Sequence, residues 1–103
     1  YIGLPTAAMF ASLKMKVIGV DISQSTVDTI NRGMVHIVEP DLDIAVSTVV
    51  ASGYLRATTI PEPADAFLIA VPTPFKGEAH EPDLSYIQSA CAMIAPVLRA
   101  GNL

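Results

Sequence analysis

The sequence lacks several features that would place it outside the cytoplasm. Among its 103 residues there is one cysteine, which cannot form an internal disulfide and is consistent with a reducing compartment. No apolar run approaches the ~20 residues that cross a bilayer. The first ten residues also lack the basic segment of a signal peptide. We therefore expect a globular cytoplasmic protein with no membrane partner.

Charged residues are also scarce, at 16% of the chain, whereas apolar residues make up 51%. Disordered chains show the opposite balance, so the composition predicts a packed core within about one small domain. The net charge of −4 argues against non-specific binding to nucleic acid. We therefore expect no nucleic-acid partner.

Helical and extended patterns alternate along the first half of the chain. Residues 6–13 predict a helix, and the β-branched run "KVIGVD" (Lys16–Asp21) predicts a strand buried on both faces. Ser23 is suited to cap a helix over residues 24–32, and Gly33 is suited to end it. Val27 and Ile30 are expected to face the sheet.

The alternation continues in the second half of the chain. The predicted elements are a helix over 42–51 capped by Asp41 and ended by Gly53, a strand in "YLRATT", a buried strand over Asp65–Pro74, a polar loop in "FKGEAHEP", and a helix over about 84–98 capped by Asp83. Such an order predicts parallel strands joined by right-handed helical crossovers. The fold class is therefore α/β, with a Rossmann-like doubly wound parallel sheet.

The opening stretch "YIGLPTAAMF" places Gly3 and Pro5 at the start of a helix. The dinucleotide fingerprint G-x-G-x-x-G lies between a first strand and a first helix. If Gly3 is its third glycine, the first strand and the first two glycines lie upstream of Tyr1. The alternative is that Gly3 is an ordinary glycine at a helix start.

Two further residues fit a dinucleotide site. Asp21 ends a strand at the spacing where an acid meets the adenosine ribose, and a carboxylate there favours NAD over NADP. Thr73 lies in "VPTP", at the end of the second buried strand, where its hydroxyl is placed to bond a ribose or phosphate. The alternatives are that Asp21 caps the following turn and that Thr73 satisfies only its own backbone.

The segments "YIGLPTAAMFA", "VIGVDI", "INRG", "HIVEPDL" and "AFLIAVPTPFK…EPDLSYI" together resemble the N-terminal domain of the UDP-glucose/GDP-mannose dehydrogenase family. The resemblance covers nearly the whole chain. It implies an NAD-dependent, homo-oligomeric enzyme that oxidises the sugar C6 alcohol of a UDP-sugar to a carboxylate in two hydride transfers. "HIVEPDL" and "VPTPFK" favour UDP-N-acetyl-D-mannosamine as substrate. The alternatives are UDP-glucose or another UDP-sugar, or a module that binds another adenosine ligand without hydride chemistry.

The resemblance also implies roles for single residues. Tyr1, Ile2 and Gly3 match the turn that contacts the pyrophosphate, Asp21 matches the ribose-binding acid, and Thr73 matches a threonine that contacts NAD. Residues 39–40 match a segment with a structural role. Residues 1–103 are thus expected to be part of an N-terminal NAD-binding domain, with the linking helix, the C-terminal domain and every catalytic residue outside this chain.

The remaining reactive side chains are expected to have no role in catalysis or metal binding. Cys91, on an apolar helix pattern, is predicted to lie in the core, and nothing near it in sequence supplies a base. His36 and His80 lack the spacing of metal ligands.

Overall fold

The structure is a computed structural model that describes residues 3–35, 39–71, 75–77 and 81–103. It divides into two compact units, Tyr1–Ile60 and Pro61–Leu103. No helix among the described residues is both long and apolar enough to cross a bilayer.

The first unit contains a two-stranded parallel sheet. β1 (Val17–Val20) pairs with β2 (Leu55–Thr58), with Val17 opposite Leu55 and Val20 opposite Thr58. The bonding extends one residue beyond the strands, since the Asp21 N–H donates to the Thr58 carbonyl over 3.1 Å. The two strands and their parallel pairing confirm the α/β prediction for this half of the chain.

Three helices accompany this sheet: α1 (Gly3–Ser12), α2 (Gln24–Asn31) and α3 (Leu42–Ala51). The bounds of α3 are those predicted, and α1 begins three residues earlier than predicted. Ser23 caps α2 as expected, because its hydroxyl accepts the Thr26 N–H over 3.4 Å.

All three helices end in the same left-handed turn, in which two backbone N–H groups satisfy the last carbonyls. Gly33 (φ +75°) and Gly53 (φ +80°) take the left-handed position after α2 and α3, as the sequence predicts. After α1 the position is held by Lys14, with φ 66°. The Met15 N–H donates to the Phe10 carbonyl over 3.3 Å and completes the turn.

Among the residues whose burial the structure describes, the core lies in this first unit. It is a cluster of nine buried residues: Ala8, Ala11, Val27, Ile30, Leu42, Val46, Val49, Leu55 and Ala57. Val27 and Ile30 were predicted to face the sheet, and both are buried. In the described part of the second unit no residue is buried.

The burial of β1 differs from the prediction. Its first three residues are only half-buried, and Val20 is 43% exposed. In β2, Leu55 and Ala57 are buried whereas Arg56 is exposed, so one face of the pair is packed and the other is open. Within the described residues, β1 has a partner strand on one edge only.

Asp41 occupies the cap position of α3 but does not cap it as predicted. Its backbone is left-handed, with φ 62°, and its side chain makes no capping hydrogen bond. The turn is instead closed by the backbone, where the Leu42 N–H donates to the Glu39 carbonyl over 3.2 Å.

The second unit departs further from the sequence predictions. Residues 65–71 are not a strand; the Phe67 N–H donates to the Leu103 carbonyl over 2.7 Å, and the Leu103 N–H donates to the Asp65 carbonyl over 3.0 Å. A strand requires a continuous partner, and among the described residues only the backbone of Leu103 and the Asn102 side chain, which donates to the Asp65 carbonyl over 3.4 Å, bond to this segment. Residues 72–74 of the predicted strand lie outside the described residues.

The predicted polar loop carries a short antiparallel ladder, β3 (Phe75–Lys76) with β4 (Glu81–Pro82). The last helix, α4 (Ser85–Ile94), is shorter than predicted and continues as a 3-10 turn, Ala95–Val97, at Pro96.

Two side chains of this unit correct the sequence analysis. Asp83 lies one residue before the cap position of α4, yet its carboxylate accepts the Ser85 N–H over 3.0 Å. Cys91 is exposed rather than in a core, because α4 has no buried residue in this chain. His36 and His80 lie outside the described residues.

Candidate functional site

Gly3 and Asp21 lie at the same end of the first unit. The turn after Ser12 reverses the chain, so that α1 and β1 run in opposite directions while packing against each other. The ten residues of α1 span about 15 Å. The four residues of β1 span about 13 Å. The first residue of α1 and the residue that follows β1 are therefore brought to one edge of the unit.

The start of α1 suits an anionic group. The first N–H groups of a helix have no intrahelical acceptor, and the helix dipole favours negative charge there. The first turn of α1 contains no acidic side chain that would oppose an anion. Pro5, within this turn, removes an N–H that would have no helical partner.

Asp21 is held by the backbone on both sides. Its N–H donates to the Thr58 carbonyl, and its carboxylate oxygen Oδ1 accepts the Ser23 N–H over 2.8 Å. The turn-capping interaction that the sequence left open is therefore present. Among the described residues no hydrogen bond to Oδ2 is found, so this oxygen is available to a ligand while Oδ1 fixes the carboxylate.

The other predicted site residues are distributed as follows. Tyr1, Ile2 and Thr73 lie outside the described residues. Glu39 and Pro40 are exposed and line an open cleft with side chains of α1 and α3, among them Ala8 and Leu42. The structure thus places Gly3 and Asp21 at one end of the first unit, and residues 39–40 beside α1 and α3.

The bond from Ser23 to Asp21 is the turn cap that the sequence left open as an alternative, and the spacing D-x-S is typical of a turn closed by an aspartate side chain. A contact that was not predicted joins Asn31 to Ala57: the Asn31 Nδ2 donates to the Ala57 carbonyl over 2.9 Å, and the Ala57 N–H donates to Asn31 Oδ1 over 2.8 Å. The sequence offers no signal for a contact between residues 26 positions apart.

Comparison with known proteins identifies the domain that carries this geometry. Residues 1–103 match the UDP-glucose/GDP-mannose dehydrogenase family, NAD binding domain. The chain belongs to the UDP-glucose/GDP-mannose dehydrogenase family. This family membership confirms the resemblance found in the sequence, and it confirms NAD as the cofactor of the domain.

Individual members of the UDP-glucose/GDP-mannose dehydrogenase family are similar over all or nearly all of the chain. The chain is 69% identical over 103 residues to UDP-N-acetyl-D-mannosamine dehydrogenase of Campylobacter jejuni. The match covers 100% of this chain and 25% of that protein. The chain is 66% identical over the same length to NDP-N-acetyl-D-galactosaminuronic acid dehydrogenase of Ralstonia nicotianae, with 24% of that protein covered. The chain thus spans about a quarter of the length of these relatives.

The fold is shared with a solved member of the family. The UDP-N-acetyl-mannosamine dehydrogenase of Staphylococcus aureus superposes with a TM-score of 0.95 at 44% identity, covering 99% of this chain and 25% of that one. This likeness confirms the Rossmann-like fold class. The residues described here also fit NAD, since an acid-free helix start and a carboxylate with a free oxygen share one end of the unit.

Proposed function

We propose that this chain binds NAD through the start of α1 and Asp21, as part of a nucleotide-sugar 6-dehydrogenase. The observation that supports this most strongly is the placement of Asp21 directly after β1, at the edge where α1 begins. Gly3 lets the backbone approach the pyrophosphate, and Tyr1 and Ile2 extend the same turn. Thr73 is proposed as a further contact to NAD.

Asp21 is the residue we propose for cofactor choice. A carboxylate accepts hydrogen bonds from the two ribose hydroxyls of NAD. The same charge repels the 2′-phosphate of NADP. Among the described residues Oδ2 makes no hydrogen bond and can accept one hydroxyl, while Oδ1 accepts the Ser23 N–H and keeps a second lone pair for the other hydroxyl.

The proposed reaction of the whole protein is oxidation of UDP-N-acetyl-D-mannosamine at C6, giving UDP-N-acetyl-D-mannosaminuronic acid. When bound, NAD supplies the acceptor for the two hydride equivalents. The residues of this chain bind and orient the cofactor, and the catalytic residues are proposed to lie outside it. The protein is further proposed to be cytoplasmic and homo-oligomeric, and to supply a surface polysaccharide such as enterobacterial common antigen.

The choice of sugar rests on the relatives. The 69% identity to the Campylobacter jejuni enzyme favours an N-acetylmannosamine sugar. The 66% identity to the Ralstonia nicotianae enzyme supports a second candidate, a nucleotide-linked N-acetylgalactosamine sugar. Both are N-acetylhexosamines, so we expect UDP-glucose to be the poorer substrate.

The test is an assay of the full-length protein with each sugar and NAD, following absorbance of NADH and identifying the product. We expect two NADH for each uronic acid formed and a clear preference for UDP-N-acetyl-D-mannosamine. Turnover of UDP-glucose as fast as that of UDP-N-acetyl-D-mannosamine would contradict the proposed choice of substrate. Absence of NADH formation with every UDP-sugar would contradict the enzyme class.

A further inference from the structure

We infer that Ser23 is a positioning residue for cofactor choice, because its backbone N–H fixes the Asp21 carboxylate in the orientation that accepts NAD and excludes NADP. The inference rests on the proposed role of Asp21 in binding the ribose. It concerns a different group, the N–H at the start of α2, which donates to Asp21 Oδ1.

The contacts around Asp21 leave its side chain little freedom. The Asp21 N–H is tied to the Thr58 carbonyl of β2, which fixes the backbone at the end of the sheet. Two residues later, the Ser23 N–H donates to Oδ1 over 2.8 Å, a bond to a charged acceptor. The carboxylate is therefore bonded to the backbone at one oxygen and directs the other away from it.

Ser23 is itself fixed by the helix that it caps. Its backbone has φ −86° and ψ 112°, and its hydroxyl accepts the Thr26 N–H. The hydroxyls of Ser23 and Ser25 also lie 3.0 Å apart. The start of α2 is thereby coupled to the Asp21 carboxylate through one residue, whose N–H and hydroxyl serve different partners.

Fixing the carboxylate has opposite effects on the two cofactors. An oriented Oδ2 accepts a ribose hydroxyl without first losing rotamer freedom, which favours NAD. The same fixed carboxylate cannot rotate away from the 2′-phosphate of NADP, and the repulsion between the two charges lowers the affinity for NADP. Removing the Ser23 N–H should therefore lower the affinity for NAD and raise the affinity for NADP. The NAD-to-NADP affinity ratio should fall by about two- to tenfold, which corresponds to the free energy of one hydrogen bond.

Ser23→Pro removes that N–H, and the backbone angle of −86° is near the range that proline takes. Two variants of the full-length protein serve as matched controls. Ser23→Ala keeps the N–H and removes only the helix cap. Gln24→Pro places proline at the first helical position, where it is tolerated, and keeps the Ser23 N–H.

Affinities for NAD and NADP are measured by titration for each variant and for Asp21→Ala. We expect a lower NAD-to-NADP ratio in Ser23→Pro and an unchanged ratio in both controls, even where Tm falls. A structural defect alone would lower the affinities for NAD and NADP together and leave their ratio unchanged. An unchanged ratio in Ser23→Pro, with a changed ratio in Asp21→Ala, overturns the role of Ser23 and leaves the proposed function standing. NAD affinity unchanged in Asp21→Ala overturns the proposed role of Asp21 itself.

Asp21→Asn tests the same inference without proline, in case Ser23→Pro does not fold. If the Ser23 N–H orients this side chain, the amide oxygen faces Ser23 and the NH₂ group faces the ribose, where it can donate to the 2′-phosphate of NADP, so NADP affinity rises clearly above that of Asp21→Ala. An Asp21→Asn variant whose NADP affinity equals that of Asp21→Ala contradicts the inference.

Discussion

Asn31 covers the outer edge of β2, and its removal should loosen that strand. The carbonyls of Tyr54 and Thr58 accept the N–H groups of β1 and of the residue after it, Asp21. The backbone groups of Ala57, which lies at an alternate position, therefore point to the other side of β2. There the Asn31 side chain meets both of them, at 2.8 and 2.9 Å. It acts as a short substitute for a neighbouring strand.

The cost of Asn31→Ala follows from these two bonds. Ala57 is only 6% exposed, so its N–H and carbonyl are poorly placed to bond water instead. Each lost bond is worth about 0.5–1.5 kcal/mol, which gives about 2 kcal/mol for the pair. Local opening of β2 should become more frequent by about 30-fold, since 1.4 kcal/mol is a factor of ten.

Hydrogen exchange of the Ala57 amide in the full-length protein reports the loss of this edge contact, because the Ala57 N–H is one of the two bonded groups. We expect exchange about 30-fold faster in Asn31→Ala. Asn31→Asp should be at least as damaging, because a carboxylate oxygen would face the Ala57 carbonyl. Gln24→Ala, which removes an exposed bond to Asp28 on the same helix, is the control and should change little. Unchanged exchange at Ala57 in Asn31→Ala would refute this reasoning.

Three further predictions concern helix ends and the single thiol. Gly33→Ala should lower Tm more than Gly53→Ala does. Both glycines have positive φ, but of the two only Gly33 would bring a Cβ close to another residue, at 3.3 Å from the Ser47 Cα. Equal losses of Tm in the two variants would contradict this prediction. Lys14→Gly should raise the stability by up to about 1 kcal/mol, because Lys14 holds a left-handed backbone that glycine adopts without strain; a lower Tm would show that the lysine side chain stabilises the turn. Cys91→Ser should leave the proposed turnover of the full-length protein unchanged, because the thiol is exposed on α4 and the catalytic residues are proposed to lie outside this chain; loss of turnover with unchanged Tm would contradict that assignment.

The sequence predicted the first unit well where local pattern and packing agree. The bounds of α3 were predicted correctly because Leu42, Val46 and Val49 recur at helical spacing and Gly53 follows them. Ser23 and Gly33 bracket α2 for the same kind of local reason. Contacts between distant residues were not predictable in this way, and the pair Asn31–Ala57 is the clearest example.

The second unit was predicted poorly because its apolar residues depend on partners that local sequence does not specify. The run over residues 65–71 has the composition of a buried strand, yet a strand forms only against a neighbour. The same applies to Cys91, whose apolar surroundings in sequence predicted burial that α4 does not provide. Of the candidate site, Gly3 and Asp21 were predicted from motif and spacing, and turn capping by Asp21 was left open as an alternative, whereas the identity of its donor, the Ser23 N–H, required the structure.

Binding of the two cofactors to the full-length protein and to its Asp21→Ala variant tests the central claim most directly. The protein should bind NAD well and NADP poorly. Asp21→Ala should lower the affinity for NAD and narrow the difference between the NAD and NADP affinities. Asp28→Ala, which removes an exposed acid from α2, is the matched control and should leave both affinities unchanged. NAD affinity that is the same in the protein and in Asp21→Ala would contradict the account, and Asp21 would then be a turn residue only.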